Sequence, residues 1–324
     1  MKIKNILRLS LISAIILTSC SKSEENITTP TVVNPPTSKI LFEAKVGTNY
    51  HLFTMNVDGT NETQITNFSN GTNYIYTGDA SWKSDGTKII FTTNKDNDNG
   101  SEIYSSNPDG TNLQRINQPY ANTQDPKFSP SGSKILFAAG VGSILNYQLF
   151  TMDSDGTNLT QVTNFFNGTP SIYTGNASWK SDGTKIIFTT NKDNDNGSKI
   201  YISNPDGTNL QRINQPYTNT QDPELSPDGS KILFAAGVGS ISNYQLFTMN
   251  VDGTNLTQIT NFSNGAPSIY TGEASWKSDG KKIIFTTNKD NDNGSEIYIS
   301  NPDGSNIVRI NHNSSGESNP TWKP

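Results

Sequence analysis

Cysteine occurs once in the 324 residues and histidine twice, at positions 51 and 312. One cysteine can form neither an internal disulfide nor a thiolate zinc site. Two histidines leave little room for a catalytic triad or a poly-histidine metal centre. Arginine is confined to positions 8, 115, 212 and 309, and the 24 basic residues are outnumbered by 29 acidic ones. Without a basic excess, a nucleic-acid binder held by phosphate contacts is excluded. Hydrophobic residues make up only 31% of the chain; adding the 26 glycines gives about 39%, below the roughly 45–50% of an average globular domain. In their place stand 41 asparagines, about one residue in eight.

Residues 1–19 have the pattern of a secretory signal. Lys2, Lys4 and Arg8 precede the nine-residue, mostly apolar stretch Leu9 to Leu17, which is far short of the about 20 residues needed to cross a bilayer. Leu17-Thr18-Ser19-Cys20 resembles the bacterial lipobox, which implies cleavage before Cys20 and its lipidation; several acyl chains on one residue anchor stably where one holds only marginally. Removing three cations leaves 21 basic against 29 acidic residues, a mature charge of −8. Ser21-Lys22-Ser23-Glu24-Glu25 resembles the tag that sends lipoproteins of Bacteroidetes-type bacteria to the cell surface. The expectation is an outer-membrane lipid anchor, on the surface or the periplasmic side. Residues 20–37, with Pro30, Pro35 and Pro36, form the tether, about 60 Å at full stretch and about 23 Å as a coil.

The rest of the chain repeats. Ala80-Ser81-Trp82-Lys83-Ser84-Asp85-Gly86 returns at 177–183 and 274–280, a period of 97 residues. Asp125-Pro126-Lys127-Phe128-Ser129-Pro130 is interleaved and recurs from Asp222, so each long repeat contains two units averaging 48.5 residues. Every unit runs through the same order: a short segment at Trp or Phe, an Asp-Gly turn, a run such as Lys88-Ile89-Ile90-Phe91, a third run such as Glu102-Ile103-Tyr104, then Pro-Asp-Gly and a last run. Four short β-branched or aromatic runs divided by Asp-Gly turns make an antiparallel meander. Four strands repeated at 40–50 residues make a propeller.

Complete units begin near 79, 125, 176, 222 and 273, giving five. The chain from 38 to 78 supplies three strands and no first strand, whereas Trp322 lies 97 residues after Leu225. The expected fold is therefore all-β: a six-bladed β-propeller of four-stranded antiparallel blades over residues 38–324, closed by the C-terminal strand completing the N-terminal blade. A closed ring leaves no free edge, and a monomer is expected.

Trp82-Lys83-Ser84-Asp85-Gly86-Thr87-Lys88-Ile89-Ile90-Phe91, followed by Ile103-Tyr104 and Asn107-Pro108-Asp109-Gly110, resembles the repeat of TolB-type propellers. The resemblance covers residues 38–324 and implies the fold far more firmly than any function.

Tight turns close one end of each blade, so the long connections 94–101, 140–146, 117–124 and 164–176 gather on the other face. Three constellations are expected there. Asp79, Asp125, Asn176, Asp222, Glu273 and Asn319 open the innermost strands and ring the channel mouth. They could hold a hard cation such as Ca²⁺ or Mg²⁺, or accept backbone N–H groups and fix blade spacing. Asn94-Lys95-Asp96-Asn97-Asp98-Asn99-Gly100-Ser101 and its copies at 191–198 and 288–295 are Asx-rich hairpin turns with a weaker likeness to calcium loops. Tyr76, Tyr173 and Tyr270, with Tyr120 and Tyr217 and with Phe165 and Phe166, offer flat faces and polar tips for a sugar or peptide, or pack the loops. Trp82, Trp179, Trp276 and Trp322 belong between blades, and Arg115, Arg212 and Arg309 are structural.

Near-copies around a rigid ring suit a binding module for an envelope protein or glycan rather than an enzyme. The enzyme alternative, a polysaccharide lyase or other glycan-active protein working at the channel mouth, rests on His51 and His312. They stand near the first-blade seam, where other blades carry Gln148, Gln245, Gln118 and Gln215.

Overall fold

The structure is a computed structural model that describes residues 38–324 apart from 70–73, 97–99, 121, 143–145, 167–170, 194–196, 240–242, 264–267, 291–293 and 311–315. Cys20, the tether and His312 lie outside the described residues, as do the tips of the three Asx-rich loops. Among the described residues no helix is long and apolar enough to cross a membrane.

Twenty-four strands are described, in six four-stranded antiparallel sheets. The first blade contains β1 (Lys39–Val46), β2 (Asn49–Asn56) and β3 (Thr63–Gln64). The second runs β4 (Thr77–Trp82), β5 (Ile89–Thr93), β6 (Glu102–Ser106) and β7 (Gln114–Arg115). The third holds β8 (Gln124–Phe128), β9 (Lys134–Gly140), β10 (Tyr147–Asp153) and β11 (Thr160–Gln161). The fourth holds β12 (Thr174–Trp179), β13 (Ile186–Thr190), β14 (Lys199–Ser203) and β15 (Gln211–Arg212). The fifth is β16 (Gln221–Leu225), β17 (Lys231–Gly237), β18 (Tyr244–Asn250) and β19 (Thr257–Gln258). The sixth is β20 (Thr271–Trp276), β21 (Ile283–Thr287), β22 (Glu296–Ser300) and β23 (Val308–Arg309), after which β24 (Ser318–Trp322) returns to the first sheet.

Closure is as the repeat arithmetic requires. β24 pairs antiparallel with β1, setting Trp322 opposite Ile40 and Thr321 opposite Leu41, and the amide of Lys323 donates to the Lys39 carbonyl at 2.8 Å. Trp322, 5% exposed, joins a core that draws Ile40, Phe42 and Met55 from the first blade and Ile284 and Ile297 from the sixth.

The middle strands of each blade are buried on both faces because each is sandwiched between neighbouring blades. Ile89, Ile90, Phe91, Thr92 and Thr93 of β5 are all buried, whereas Gln114 and Arg115 of the outer β7 are exposed. This explains the long apolar runs at the second and third positions and their absence at the fourth, where only two residues pair. Trp82, Trp276 and Trp322 fall in inter-blade clusters, and Trp179 packs against another. The outer arginines are tied down by ion pairs, Arg115 to Glu102 at 3.4 Å, Arg212 to Asp193 at 3.2 Å and Arg309 to Glu296 at 2.8 Å.

The Asp-Gly turns fold by a local mechanism. Asp85 Oδ1 accepts the amide of Thr87 at 2.9 Å and its hydroxyl at 2.5 Å, and the Gly86 amide donates to the Lys83 carbonyl at 2.8 Å. Gly86 sits at φ +66°, a conformation that costs a residue without Cβ nothing. The same hydrogen bonds hold Asp85 near 2, well below the ordinary carboxylate range.

Candidate functional site

The six residues expected at the channel mouth share one backbone feature. Asp79, Asp125, Asn176, Asp222, Glu273 and Asn319 all have left-handed φ, between +48° and +52°. Each sits at a break in the pairing of its innermost strand, between Gly78 and Ser81 in the second blade and at the equivalent places elsewhere. The expectation that they open their strands is thereby corrected. Asp79 is the third residue of β4 and Asp125 the second of β8; each occupies a β-bulge that turns its side chain into the channel. Asp and Asn tolerate this conformation through short polar side chains, so five of the six residue types follow from the geometry, and Glu273 is the exception.

The bulges build a hydrogen-bonded ring across blade boundaries. Asp125 Oδ2 accepts the amide of Asn176 at 3.3 Å, Asp222 Oδ2 that of Glu273 at 3.3 Å, and Glu273 Oε2 that of Asn319 at 2.8 Å. The amide positions donate sideways, Asn176 Nδ2 to Asp222 Oδ1 at 2.6 Å and Asn319 Nδ2 to Glu43 Oε1 at 2.9 Å.

Glu43 escapes the sequence reading. It lies on β1, 1% exposed, and besides Asn319 it accepts the Asp79 amide at 2.5 Å and the Ser318 hydroxyl at 3.0 Å. Its structural counterparts are Thr92, Thr189 and Thr286 in one set of blades and Ala138 and Ala235 in the other. A carboxylate at a position otherwise filled by Thr or Ala was the available signal.

These carboxyls sit close together without compensating cations at their own level. Burial, then repulsion from Asp79 and Glu273, pushes Glu43 up to about 8. Burial and Asp79 push Asp125 up to about 7, and burial raises Glu273 to about 7 against the opposing Asn319 amide. One level deeper, Lys127 and Glu224 face a chamber of about 70 Å³ that the ring roofs. Burial raises Glu224, and Lys127 offsets part of that rise.

Above the ring the channel widens into a funnel of about 640 Å³, whose described lining holds Asp79, Asp125, Asp222 and Glu273 but no Lys, Arg or His. Tyr76, Tyr173 and Tyr270 form part of its wall. Tyr76 donates to Asp79 Oδ1 at 2.9 Å and Tyr173 to Asn176 Oδ1 at 3.3 Å, while Asn94, Asn191 and Asn288 accept the three tyrosine amides at 2.8, 2.9 and 2.9 Å. Burial raises all three phenols far above their ordinary value, so they remain hydrogen-bond donors. The glycine of each Tyr-Thr-Gly segment makes room for this fold-back: a Cβ on Gly175 would stand 2.6 Å from the Tyr173 hydroxyl.

The remaining aromatics are elsewhere. Tyr120 and Tyr217 pack on Phe150 and Phe247, with ring centroids 4.4 Å apart in both pairs, and neither lines the funnel. Phe165 lies under Lys192 at 5.5 Å, and Phe166 is 84% exposed. In the Asx-rich loops Asp96 accepts Lys95 and the Tyr104 hydroxyl. His51 is 2% exposed, and burial lowers its pKa; it lines neither the funnel nor the chamber below it. Among the described residues no group of three or more His, Cys, Asp or Glu is arranged to hold a metal ion.

Solved structures share this architecture at low identity. TolB from Acinetobacter baumannii is 20% identical, with a TM-score of 0.72 over 89% of this chain and 67% of that one. The hydrazine synthase of Kuenenia stuttgartiensis is 15% identical, with a TM-score of 0.67 over 89% of this chain and 47% of that one. An oligogalacturonate lyase from Vibrio parahaemolyticus is 14% identical, with a TM-score of 0.51 over 81% and 86%. At such identities the likeness concerns fold alone. Comparison with curated protein sequences gives no match. The family model described as the TolB beta propeller domain matches residues 146–324, more than half the chain, and the protein belongs to that family.

Proposed function

We propose that this propeller is a lipid-anchored binding module of the bacterial envelope. Its loop-face funnel receives a basic segment of an envelope protein. The observation that supports this most is the lining of the funnel: it holds four carboxylates and five tyrosines, and no cation is among the described residues there. A Lys or Arg side chain entering the mouth would relieve the repulsion that raises Glu43, Asp125 and Glu273. It would also find aromatic faces beside the acids. A hard cation such as Ca²⁺ or Mg²⁺ would use the same oxygens, and a glycan would use the tyrosines more than the acids.

Cys20 supplies the anchor in this account and residues 21–37 the tether, whose length keeps the folded part within about 60 Å of the membrane. Catalysis has little support, because His51 is enclosed by the first blade.

The test is an array of extended peptides and glycans probed with the mature protein, in Ca²⁺ and in chelator. Basic peptides are expected to bind, with affinity falling as salt rises, and binding should weaken about tenfold or more in Asp125→Asn/Asp222→Asn. Preference for neutral glycans, or binding indifferent to both substitutions, would refute the basic-segment reading. Binding that needs Ca²⁺ would transfer the acids to a metal.

A further inference from the structure

The repeats provide an internal control, since three seams join an even-numbered blade to the next odd-numbered one. Two of them are plugged in the same way at the tight-turn end. Ile202 and Val251 join the core between the fourth and fifth blades, and Ile299 and Val57 join that between the sixth and first. Between the second and third blades the corresponding residues are Ser105 and Ser154, and neither belongs to the local core. Both sides of one seam have lost their plug, and a groove of about 570 Å³ opens there, on the face opposite the funnel.

Two further departures occur at the same seam. Lys185 and Lys282 donate to Asn204 and Asn301, each at 2.7 Å. Their counterpart Lys88 makes no such bond, although Asn107 holds Thr111 just as Asn204 holds Thr208 and Asn301 holds Ser305, and Lys88 lines the groove. The turn at the rim carries Ser131, where the fifth blade has Asp228 closing its own turn. Each change adds room, hydroxyl groups or positive potential, and none of them adds core packing. Ser105 is 7% exposed and lines the groove.

Lys88, Lys83 and Arg115 bring positive charge, although Lys83 is shared with Asp85 at 3.1 Å and Arg115 with Glu102 at 3.4 Å, and one carboxylate, Asp155, also lines the groove. Ser105, Ser154 and Gln114 offer hydrogen bonds, and Ile116 and Phe128 form an apolar wall. Its volume falls within the about 300–1,000 Å³ usual for small-molecule sites. We propose that the seam between the second and third blades is a binding site for a small hydroxylated carboxylate, about the size of one sugar-acid unit. The carboxylate would sit on Lys88, the hydroxyls on the serines and Gln114, and the carbon skeleton against Phe128 and Ile116. Where the other two seams fill these positions with packed apolar side chains, this one lines the groove with Ser105 and Ser154.

Calorimetric titration of the mature protein tests this, with glucuronate as probe, glucose as its neutral twin and inorganic phosphate as an alternative anion. Glucuronate should bind saturably and glucose should not. Ser105→Ile/Ser154→Val, which copies the plugged seams, should weaken glucuronate by at least about tenfold while melting at or above the wild-type temperature. Lys88→Gln should weaken it several-fold without touching the core, and it decides the matter if the plugged variant folds poorly. Absence of glucuronate binding, or binding unchanged in Lys88→Gln, would overturn the site. Tighter binding of phosphate than of glucuronate would overturn the carboxylate assignment.

Discussion

Glu43 on the second-position strand of the first blade accepts the backbone amide of Asp79 in the second blade at 2.5 Å. At three other ring positions, Asn176, Glu273 and Asn319, that bond goes to the preceding ring residue, as when Asp125 accepts the amide of Asn176. Before Asp79 the preceding ring residue is Asn319, whose side chain donates to Glu43 instead. Glu43 therefore replaces the carboxylate missing from the closing strand and joins the two ends of the chain through one side chain. Glu43→Ala leaves the Asp79 amide and the Asn319 side chain without their acceptor. At about 1–3 kcal/mol for a buried group left unpaired, urea unfolding should register a loss of about 2–4 kcal/mol. A loss under about 0.5 kcal/mol would make the bond incidental.

The crowded acids set a pH dependence. Unfolded, Glu43 and Glu273 titrate near 4.5 and Asp125 near 3.8; folded, burial first and neighbouring acids second raise them to about 8, 7 and 7. Between these values the folded chain holds more protons than the unfolded one, so stability is full at the acidic end of the window and falls as pH rises. The melting temperature should drop from about pH 5 to about pH 8. Glu43→Gln/Asp125→Asn/Glu273→Gln should flatten that slope. A wild-type melting temperature that rises across this window would contradict the crowding.

Asp222 separates backbone from charge. It sits at φ +49° and accepts both the Glu273 amide and the Asn176 side chain. Asp222→Asn keeps a residue that tolerates the bulge and should cost about 1 kcal/mol or less. Asp222→Val loses both acceptors and forces a β-branched residue into the left-handed region, for about 3 kcal/mol or more. Equal effects from the two substitutions in chemical denaturation would remove the bulge from the explanation.

Much of the fold was legible because the period was. Trp82, Trp179 and Trp276 recur 97 residues apart, and Trp322 at the same offset from Leu225 marks the closing strand. The ring positions were legible for the same reason, but their geometry was not. A bulge with positive φ leaves no periodic trace beyond a preference for Asp and Asn, so Asp79 and its fellows looked like strand openers. Glu43 was hidden because one residue in one blade makes no pattern. Tyr120 and Tyr217 illustrate the opposite limit: a tyrosine in a polar loop has the same letters whether it faces a funnel or packs on Phe150.

The closing strand carries a large share of stability. Trp322 is buried, and β24 supplies the inner ladder of the first sheet. Removing residues 317–324 forfeits about 3–5 kcal/mol for the tryptophan alone, against about 5–15 kcal/mol for a whole domain. The truncated chain should unfold or aggregate on expression, while Trp322→Phe should fold and melt a few degrees lower. A truncated propeller melting with the full-length protein would contradict the six-blade closure.

The claim that the loop-face funnel is the recognition surface has one direct measurement. It is the affinity of the mature protein for the tightest basic peptide from the array, compared with that of Tyr76→Phe/Tyr173→Phe/Tyr270→Phe and of Asp125→Asn/Asp222→Asn, at low and high salt. The account predicts that both variants fold, that the acid variant loses about tenfold or more in affinity together with most of its salt dependence, and that the tyrosine variant loses less. Undiminished affinity in the acid variant, with the same salt dependence as wild type, would contradict it.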